Sequence, residues 1–297
     1  MARTEDTSEA PIFIVGVHRS GTTLLRYMLS SSPHIYIPPE SDFIPRFFQR
    51  SPEGDLEERE IRGILQTIFT RYRFVREWKG DVPSAEFVMQ DMRARTPAAF
   101  LEVLYRLYAA QHGATRWGDK TPIYTSYIPL IHQLFPGAQF LHIIRDGRDV
   151  ALSTLDKWGE SEIHVDLYYA ARIWMRRIRQ ARGAGHRLGT ALYREVRYED
   201  LVRDPEGELK GICAFLGEPY LPEMASQHHQ ACQQVEPDGF HAPVRRPPSP
   251  ARVGRWRREM RVADQRLYKC VAGTLLDELG YPVVDLEPMA LQERLRL

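Results

Sequence analysis

The sequence has few cysteines, almost no net charge and no long hydrophobic run, and each of these absences excludes a class of protein. Its 297 residues include three cysteines, an odd number without the spacing of a zinc site, so neither a disulfide framework nor a zinc site is predicted. The formal net charge of +1 gives no overall field that would attract nucleic acid or a membrane surface. No apolar run approaches the roughly 18 residues needed to cross a bilayer. We therefore expect a soluble protein of the reducing cytoplasm, without a membrane span or a nucleic-acid partner.

The two ends of the chain and its basic residues differ in composition from the rest. Residues 1–10 are polar and acidic and contain no apolar signal segment, which predicts a disordered leader. The chain from 11 to 297 shows no internal repeat and no clean linker, so we expect one domain. Five of its 40 basic residues are lysines and the rest are arginines. Arginine suits two-pronged binding of anions, although genomic bias is the plainer explanation.

Short apolar runs that alternate with amphipathic stretches predict an α/β fold with a central parallel sheet flanked by helices. Residues 12–15 are continuously apolar, as expected of a strand buried on both faces. Further strands are predicted at 139–144 and 191–198. Helices are predicted at 22–29, 53–66, 96–111, from about 149, at 165–181, 205–216 and 264–279. The stretch 236–254, rich in proline and arginine, is too long for a simple connector and is predicted to be functional or disordered.

A glycine-bounded turn follows the first predicted strand. Gly16 and Gly21 enclose four residues, as in a Walker A loop, and a strand–turn–helix of this kind gathers backbone N–H groups and a helix N-terminus around an anion. The next residue is Thr22, where a nucleotide triphosphatase has the lysine that reaches the β- and γ-phosphates. Arg19 places a basic group inside the turn instead. The pattern predicts a loop that binds a compact anion without an obvious metal; an ordinary glycine turn before a helix is the alternative.

The second predicted strand ends in a cation. Arg145 follows the run 139–144, and Ser153 lies eight residues further on. A Walker B strand would end with a carboxylate that holds magnesium. We therefore expect Arg145 to face the same ligand as the first loop, with a surface ion pair to Asp146 or Asp149 as the alternative.

Together these two segments resemble the sulfotransferases that use 3′-phosphoadenosine 5′-phosphosulfate, and bacterial members allied to the tyrosylprotein type in particular. The resemblance spans about residues 11–256 and implies a P-loop-like central parallel sheet flanked by helices. It also implies this co-substrate, the product 3′-phosphoadenosine 5′-phosphate, and no metal. By this resemblance the 5′-phosphosulfate is bound by Arg19, Ser20, Gly21, Thr22 and Thr23, and the 3′-phosphate by Arg145 and Ser153.

Two later segments extend the resemblance. Residues 197–201 resemble a segment whose tyrosine, here Tyr198, lies against the adenine; a strand that ends in a charged turn is the alternative. Residues 252–256 resemble the late Gly-x-Trp segment near the 3′-phosphate, which implies contacts from Arg252, Gly254 and Arg255. The segment departs from the Arg-Lys-Gly pattern of the cytosolic type, so which arginine makes the contact stays open.

Sulfonate transfer requires a general base, and three residues near the first loop are candidates. His18 lies inside the loop and is interpreted as part of its structure, while His34 follows a proline in a turn and is expected to cap it or face solvent. Glu40 stands where relatives of the tyrosylprotein type have a catalytic glutamate, so the resemblance implies that Glu40 is the base. Such a base contributes about 10²–10⁴-fold to the rate. A surface glutamate in a proline turn is the alternative.

Lys120 lies in a segment, residues 118–122, that is interpreted as a loop. Relatives have a lysine or a related donor at this point, which implies that Lys120 neutralises the bridging oxygen or stabilises the transferring sulfonate. The alternative is a plain helix start in which Asp119 or Thr121 is the cap and Pro122 follows it.

The acceptor is the part of the reaction that the sequence describes least. We expect a hydroxyl or amine of a small molecule, a carbohydrate or a peptide, and leave a homo-oligomer open. Residues that could line its pocket are candidates by position alone: Asp42, Phe43, Phe47, Trp78, Trp158, Phe240 and His241. Two other functions compete with sulfonate transfer, namely a P-loop kinase of small molecules or nucleotides and a non-catalytic nucleotide-binding protein.

Overall fold

Parallel strands form the sheet at the centre of the structure, in the spatial order Ile35–Tyr36, Arg116–Lys120, Ile12–Gly16, Gln139–Ile144 and Tyr193–Arg197. The structure is a computed structural model that describes residues 10–70, 83–158, 165–226, 228 and 242–284. Its strands are β1 (Ile12–Gly16), β2 (Ile35–Tyr36), β3 (Arg116–Lys120), β4 (Gln139–Ile144) and β5 (Tyr193–Arg197).

Helices cover both faces of this sheet. In chain order they are α1 (Thr22–Leu29), α2 (Ile44–Phe48), α3 (Glu58–Thr70), α4 (Ala85–Asp91), α5 (Pro97–Gln111), α6 (Ile128–Leu134), α7 (Gly147–Trp158), α8 (Leu167–Leu188), α9 (Tyr198–Arg203), α10 (Pro205–Leu216), α11 (Pro222–Ser226), α12 (Trp256–Glu259) and α13 (Val262–Glu278). Short 3₁₀ helices span Pro122–Ser126, Ala242–Arg245 and Pro250–Arg252. Among the described helices, none is both long and apolar enough to cross a bilayer.

The central strand β1 is buried on both faces, as its continuous apolar run predicts. Phe13 and Val15 pack into one core cluster with α5 and Phe140 of β4. Ile12 and Ile14 point the other way, into a cluster with α1 and α10. Successive side chains of a strand alternate between the faces, so a strand covered by helices on both sides needs apolar residues at every position. The predicted α/β fold with a central parallel sheet is confirmed.

The strand order decides where a ligand can bind. From β1 the chain continues to β2, at the edge of the sheet beyond β3, whereas from β4 it continues to β5 on the opposite side. The connections after β1 and β4 therefore diverge at neighbouring strands. In open α/β sheets such a divergence leaves a crevice at the carboxyl ends of the strands, and ligands bind there.

The largest difference from the sequence prediction is β3. Residues 118–120, interpreted as part of a loop, are the end of a strand that pairs with β1 at Ile12, Phe13 and Ile14. The strand was missed because three of its five residues are charged. Tertiary packing nevertheless leaves Arg116, Asp119 and Lys120 at most 3% exposed, each with polar partners.

Several predicted boundaries also shift. The predicted helix at 53–66 is α3, which begins and ends later, and the helix at 165–181 is α8, which continues to Leu188. The helix expected from about 149 begins at Gly147, and the strand expected to reach Tyr198 ends one residue earlier, so that Tyr198 begins α9. Ala10, predicted as part of a disordered leader, is described, and its carbonyl accepts a hydrogen bond from Arg116 at 2.7 Å. Residues 1–9 lie outside the described residues.

Candidate active site

The loop after β1 presents backbone N–H groups at the carboxyl edge of the sheet. Arg19 and Gly21 both have positive φ angles, 74° and 100°, which fold the loop back over the start of α1. Gly21 is the N-cap of α1 and no side chain caps the helix, so its first-turn N–H groups remain directed at the loop. Ser20 is fully buried, and its hydroxyl has no hydrogen-bond partner among the described residues. An anion bound at this helix N-terminus would meet these donors.

Three arginines gather beside this loop. The Nε of Arg19 donates to the Oγ of Ser153 at 2.9 Å, and Nη1 of Arg145 donates to the Arg19 carbonyl at 3.0 Å. Burial, together with the positive charges of Arg145 and Arg252, lowers the pKa of Arg19 to about 10. A cluster of like charges held this close is stabilised by an anion bound between them.

Arg145 lies at the centre of the cluster. Its Nη2 donates to the carbonyl of Arg252 at 2.8 Å, and its Nε is buried without a partner among the described residues. The guanidinium lies 4.5 Å from the centroid of the Tyr198 ring. That ring also fills the space beside Gly21, where an added Cβ would be 2.5 Å from Tyr198 Cδ2. Tyr198 therefore packs between the loop after β1 and the arginine after β4.

The segment 252–256 is held against α7 by one carboxylate. Asp149 Oδ2 accepts the N–H of Gly254 at 2.7 Å, and Oδ1 accepts the N–H of Trp256 at 2.9 Å. Gly254 has a φ of 70°, so this turn favours glycine. The exposed side chain of Arg252 lies near Arg19, whereas Arg255 forms ion pairs with two carboxylates on the surface.

On the other side of β1, Glu40 and Lys120 form an ion pair. Lys120 Nζ lies 2.7 Å from Glu40 Oε1, with side chains 3% and 17% exposed. Burial lowers the pKa of Lys120, and the Glu40 carboxylate partly offsets this. Lys120 ends β3, the neighbour of β1, so both residues lie beside the first loop. The structure thus brings together the two residues that were predicted to be catalytic.

A buried network that the sequence did not reveal holds the segment containing Glu40. Ser41 Oγ donates to Asp119 Oδ2 at 2.5 Å and contacts the Tyr124 hydroxyl at 2.7 Å. The N–H of Ser41 donates to Thr121 Oγ1 at 3.0 Å, and Tyr105 donates a short hydrogen bond to Asp119. Burial raises the pKa of Asp119, and these hydroxyl donors oppose that effect.

Asp146, the residue that follows Arg145, has a hydrogen-bond partner at each carboxylate oxygen. Both oxygens of Asp146 accept hydrogen bonds from the guanidinium of Arg148, at 2.9 and 2.7 Å. Glu199 in turn accepts the N–H of Asp146 at 2.9 Å and the hydroxyl of Tyr281 at 3.1 Å. Within the described chain, no group of three or more His, Cys, Asp and Glu side chains is arranged to hold a metal ion.

The protein family of the chain follows from its match to a family profile. Residues 11–223 match the sequence profile of the sulfotransferase family. The chain belongs to the sulfotransferase family.

Individual relatives and a solved structure agree with this membership. The nodulation protein NoeE of Sinorhizobium fredii is 26% identical over 93% of this chain and 67% of its own length. The protein-tyrosine sulfotransferase of Drosophila melanogaster is 28% identical over 74% of this chain and 40% of its own length. The chain therefore spans only part of either relative. The sulfotransferase domain of the Synechococcus PCC 7002 olefin synthase has the same fold, with a TM-score of 0.61 and 23% identity over 94% of this chain and 97% of that domain. The predicted sulfotransferase fold is confirmed, and the kinase alternative is not favoured.

Among the candidates for the acceptor pocket, Asp42, Phe43 and Phe47 lie within the described residues. Phe43 is 1% exposed and belongs to the core, whereas Phe47 is half-buried and Asp42 has a φ of 53°. His34 is exposed in its turn, as expected. Outside the described residues lie Trp78, Phe240, His241 and the side chain of Trp158.

Proposed function

We propose that this sulfotransferase moves a sulfonate group from 3′-phosphoadenosine 5′-phosphosulfate to a hydroxyl or amine of an acceptor, with Glu40 as the general base. The proposal rests on one observation above all. The strand order β3-β1-β4 puts a glutamate–lysine pair on one side of an anion-binding loop and a cluster of arginines on the other. The donor carries a phosphate at its 3′ position and a phosphosulfate at its 5′ position, so it needs two cationic sites. Its sulfonate must lie on the side of the base, with the acceptor between them.

The donor half of the site supports a nucleotide with two separate phosphate groups. The N–H groups after Gly21 and the buried hydroxyl of Ser20 suit the 5′-phosphosulfate. Arg145 and Ser153 lie beyond the loop, on the β4 side, where a second phosphate would be bound. The Nε of Arg19 donates to Ser153, and the contact of Arg19 with the phosphosulfate stays a prediction.

The chemistry needs only groups that the chain supplies beside the donor. Glu40 takes the proton of the acceptor, whose oxygen or nitrogen forms a bond to sulfur while the bond from sulfur to the phosphate oxygen breaks. The negative charge that develops on that oxygen is stabilised by Lys120 and by the N–H groups of the loop. Preorganised donors of this kind are commonly the largest single contribution to catalysis.

A kinase is disfavoured by the same residues. Thr22 stands at the position of the Walker lysine, and Arg145 is the residue that follows β4. The next residue, Asp146, has both oxygens bound to Arg148, so it is not free to hold magnesium.

The acceptor and the compartment stay predictions. By its name, the Drosophila relative acts on protein tyrosine, and a peptide hydroxyl is therefore one candidate beside small molecules and carbohydrates. Cys213 and Cys270 are free thiols, which is compatible with a reducing cytoplasm.

Binding of the donor product is the first test. Calorimetry with 3′-phosphoadenosine 5′-phosphate should show tight binding without added metal, whereas ATP with magnesium should bind weakly. Tight binding of ATP with magnesium and none of the 3′-phosphorylated nucleotide would refute the proposal.

Catalysis is tested by Glu40→Gln, using a donor labelled in the sulfonate and a panel of phenols, alcohols, sugars, amines and peptides. We expect transfer to fall by about 10²–10⁴-fold because the base is lost, while binding of 3′-phosphoadenosine 5′-phosphate persists. Glu58→Gln is the matched control, since Glu58 forms a surface pair with Arg62 at the same 2.7 Å distance.

Lys120→Ala should also abolish transfer and retain nucleotide binding. Normal turnover in both site variants would contradict the assignments, and absence of transfer from the wild-type protein to every acceptor would favour the non-catalytic alternative.

A further inference from the structure

Asp149 makes a connection that the reaction itself does not require. Its side chain is 0% exposed at the start of α7, yet its two oxygens accept the backbone N–H groups of Gly254 and Trp256, more than 100 residues further along the chain. Those two residues belong to the segment 252–256, whose Arg252 lies in the arginine cluster. One buried carboxylate thus joins this segment to the helix that carries Ser153.

Two further side chains close to Asp149 contact the segment 252–256. Arg148 lies 3.5 Å from the centroid of the Trp256 ring, and Arg145 donates to the Arg252 carbonyl at 2.8 Å. Both contacts come from side chains that precede Asp149, Arg145 in the β4–α7 connection and Arg148 in the first turn of α7. Residues 252–256 are therefore held by the connection after β4 and by the first turn of α7, and Asp149 accepts both of the hydrogen bonds from backbone N–H groups.

The charge of Asp149 has the wrong sign for a residue that binds phosphate. Its Oδ2 lies 3.9 Å from Arg145 Nη2, so it reduces the positive potential that an anion would meet. Removal of the charge alone would strengthen anion binding. The presence of a carboxylate beside an arginine cluster is explained by the two N–H groups, because a buried donor without an acceptor is costly and a neutral amide offers one oxygen for two donors.

We propose that Asp149 is a positioning residue that holds the segment 252–256 against the 3′-phosphate site and so determines selectivity for the 3′-phosphorylated nucleotide. The inference rests on the proposed function, since it takes Arg145 and Ser153 to be the 3′-phosphate site. It assigns a role to a carboxylate whose two oxygens both accept backbone N–H groups of that segment.

The test compares two nucleotides that differ only in the 3′-phosphate. Calorimetry of the full chain with 3′-phosphoadenosine 5′-phosphate and with adenosine 5′-phosphate gives the affinity ratio of the wild-type protein and of Asp149→Asn. The variant should lose at least about tenfold in this ratio, because the hydrogen bonds to a charged acceptor that hold the segment are weakened. Hydrogen exchange should become faster at the amides of Gly254 and Trp256. Asp204→Asn is the matched control, since Asp204 is an exposed helix cap that accepts the N–H of Gly207 at 2.9 Å.

The outcomes separate this inference from the proposed function. An unchanged or increased ratio in Asp149→Asn would overturn the positioning role, and an increase is what charge removal alone predicts. An equal loss of affinity for both nucleotides would also overturn the positioning role, because Asp149 would then support the fold as a whole. If the wild-type protein does not distinguish the two nucleotides, the proposed 3′-phosphate site fails, whatever the variant does. In that case, faster exchange at the two amides would show only that Asp149 holds the segment.

Discussion

A buried histidine in the strand that leads to Arg145 should make the protein unstable in mild acid. His142 of β4 is fully buried, and its Nδ1 lies 2.5 Å from the hydroxyl of Tyr193. Burial, with further contributions from the charge of Arg182 and from the neighbouring His186, lowers the pKa of His142 from 6.5 to about 3. The folded protein therefore keeps this imidazole neutral at a pH where the unfolded chain binds a proton.

The sign and size of the effect follow from that difference. Between pH 6.5 and pH 3 the unfolded state holds more protons than the folded state, so the free energy of unfolding decreases as the pH falls through this window. At pH 5.0 the pKa of His142 in the folded protein lies well below the pH. The loss in the free energy of unfolding is therefore set by the roughly 1.5 pH units between pH 5.0 and the pKa of this histidine in the unfolded chain. It amounts to about 2 kcal/mol relative to pH 7.5.

Urea unfolding of the wild-type protein and His142→Asn at pH 7.5 and pH 5.0 measures this loss. The asparagine amide can still contact the Tyr193 hydroxyl but does not titrate, and other histidines contribute equally to both proteins. Between the two pH values, the wild-type protein should therefore lose about 2 kcal/mol more than the variant. Equal losses would show that His142 is protonated in the folded state and would refute the reasoning. If the smaller side chain of the variant lowers the free energy of unfolding equally at both pH values, the comparison is unaffected.

Two further predictions concern the loop and the base. Gly21→Ala should weaken binding of 3′-phosphoadenosine 5′-phosphate by at least about tenfold, because it adds left-handed strain of about 1–2 kcal/mol and a Cβ 2.5 Å from Tyr198. Gly113→Ala carries similar strain with nothing within 4 Å, and calorimetry should find its affinity unchanged. Ser41→Ala should lower the free energy of unfolding by about 1–3 kcal/mol in urea and slow single-turnover transfer without changing nucleotide affinity; unchanged turnover would contradict a positioning role for Ser41.

The loop after β1 and the arginine after β4, which are proposed to bind the donor, could be located from the sequence because the residues of each segment are close in the chain. Gly16, Arg19 and Gly21 belong to one turn between a buried strand and a helix, and apolar runs and glycine positions reveal such a unit directly. Arg145 and Ser153 likewise lie on one strand end and the helix that follows it. Local sequence patterns were sufficient here, since the physical causes act over a few residues.

The contacts that organise the site were not predictable in this way. Lys120 was interpreted as part of a loop because charged residues do not give the apolar pattern of a strand, and only burial beside β1 made the strand stable. Asp149 could be recognised as an acid near Arg145, but its contact with Gly254 joins segments 105 residues apart.

The sequence by itself predicted the parallel sheet, the glycine-bounded loop after β1 and the arginine that follows β4. These depend on periodicity and on backbone geometry, which neighbouring residues control. The tertiary structure alone decided that Glu40 meets Lys120, that Ser41 meets Asp119, and that Asp149 holds the late segment. Each of these contacts joins residues that are distant in the chain. Their pairing depends on which strands become neighbours in the sheet, and that order follows from the packing of the whole core.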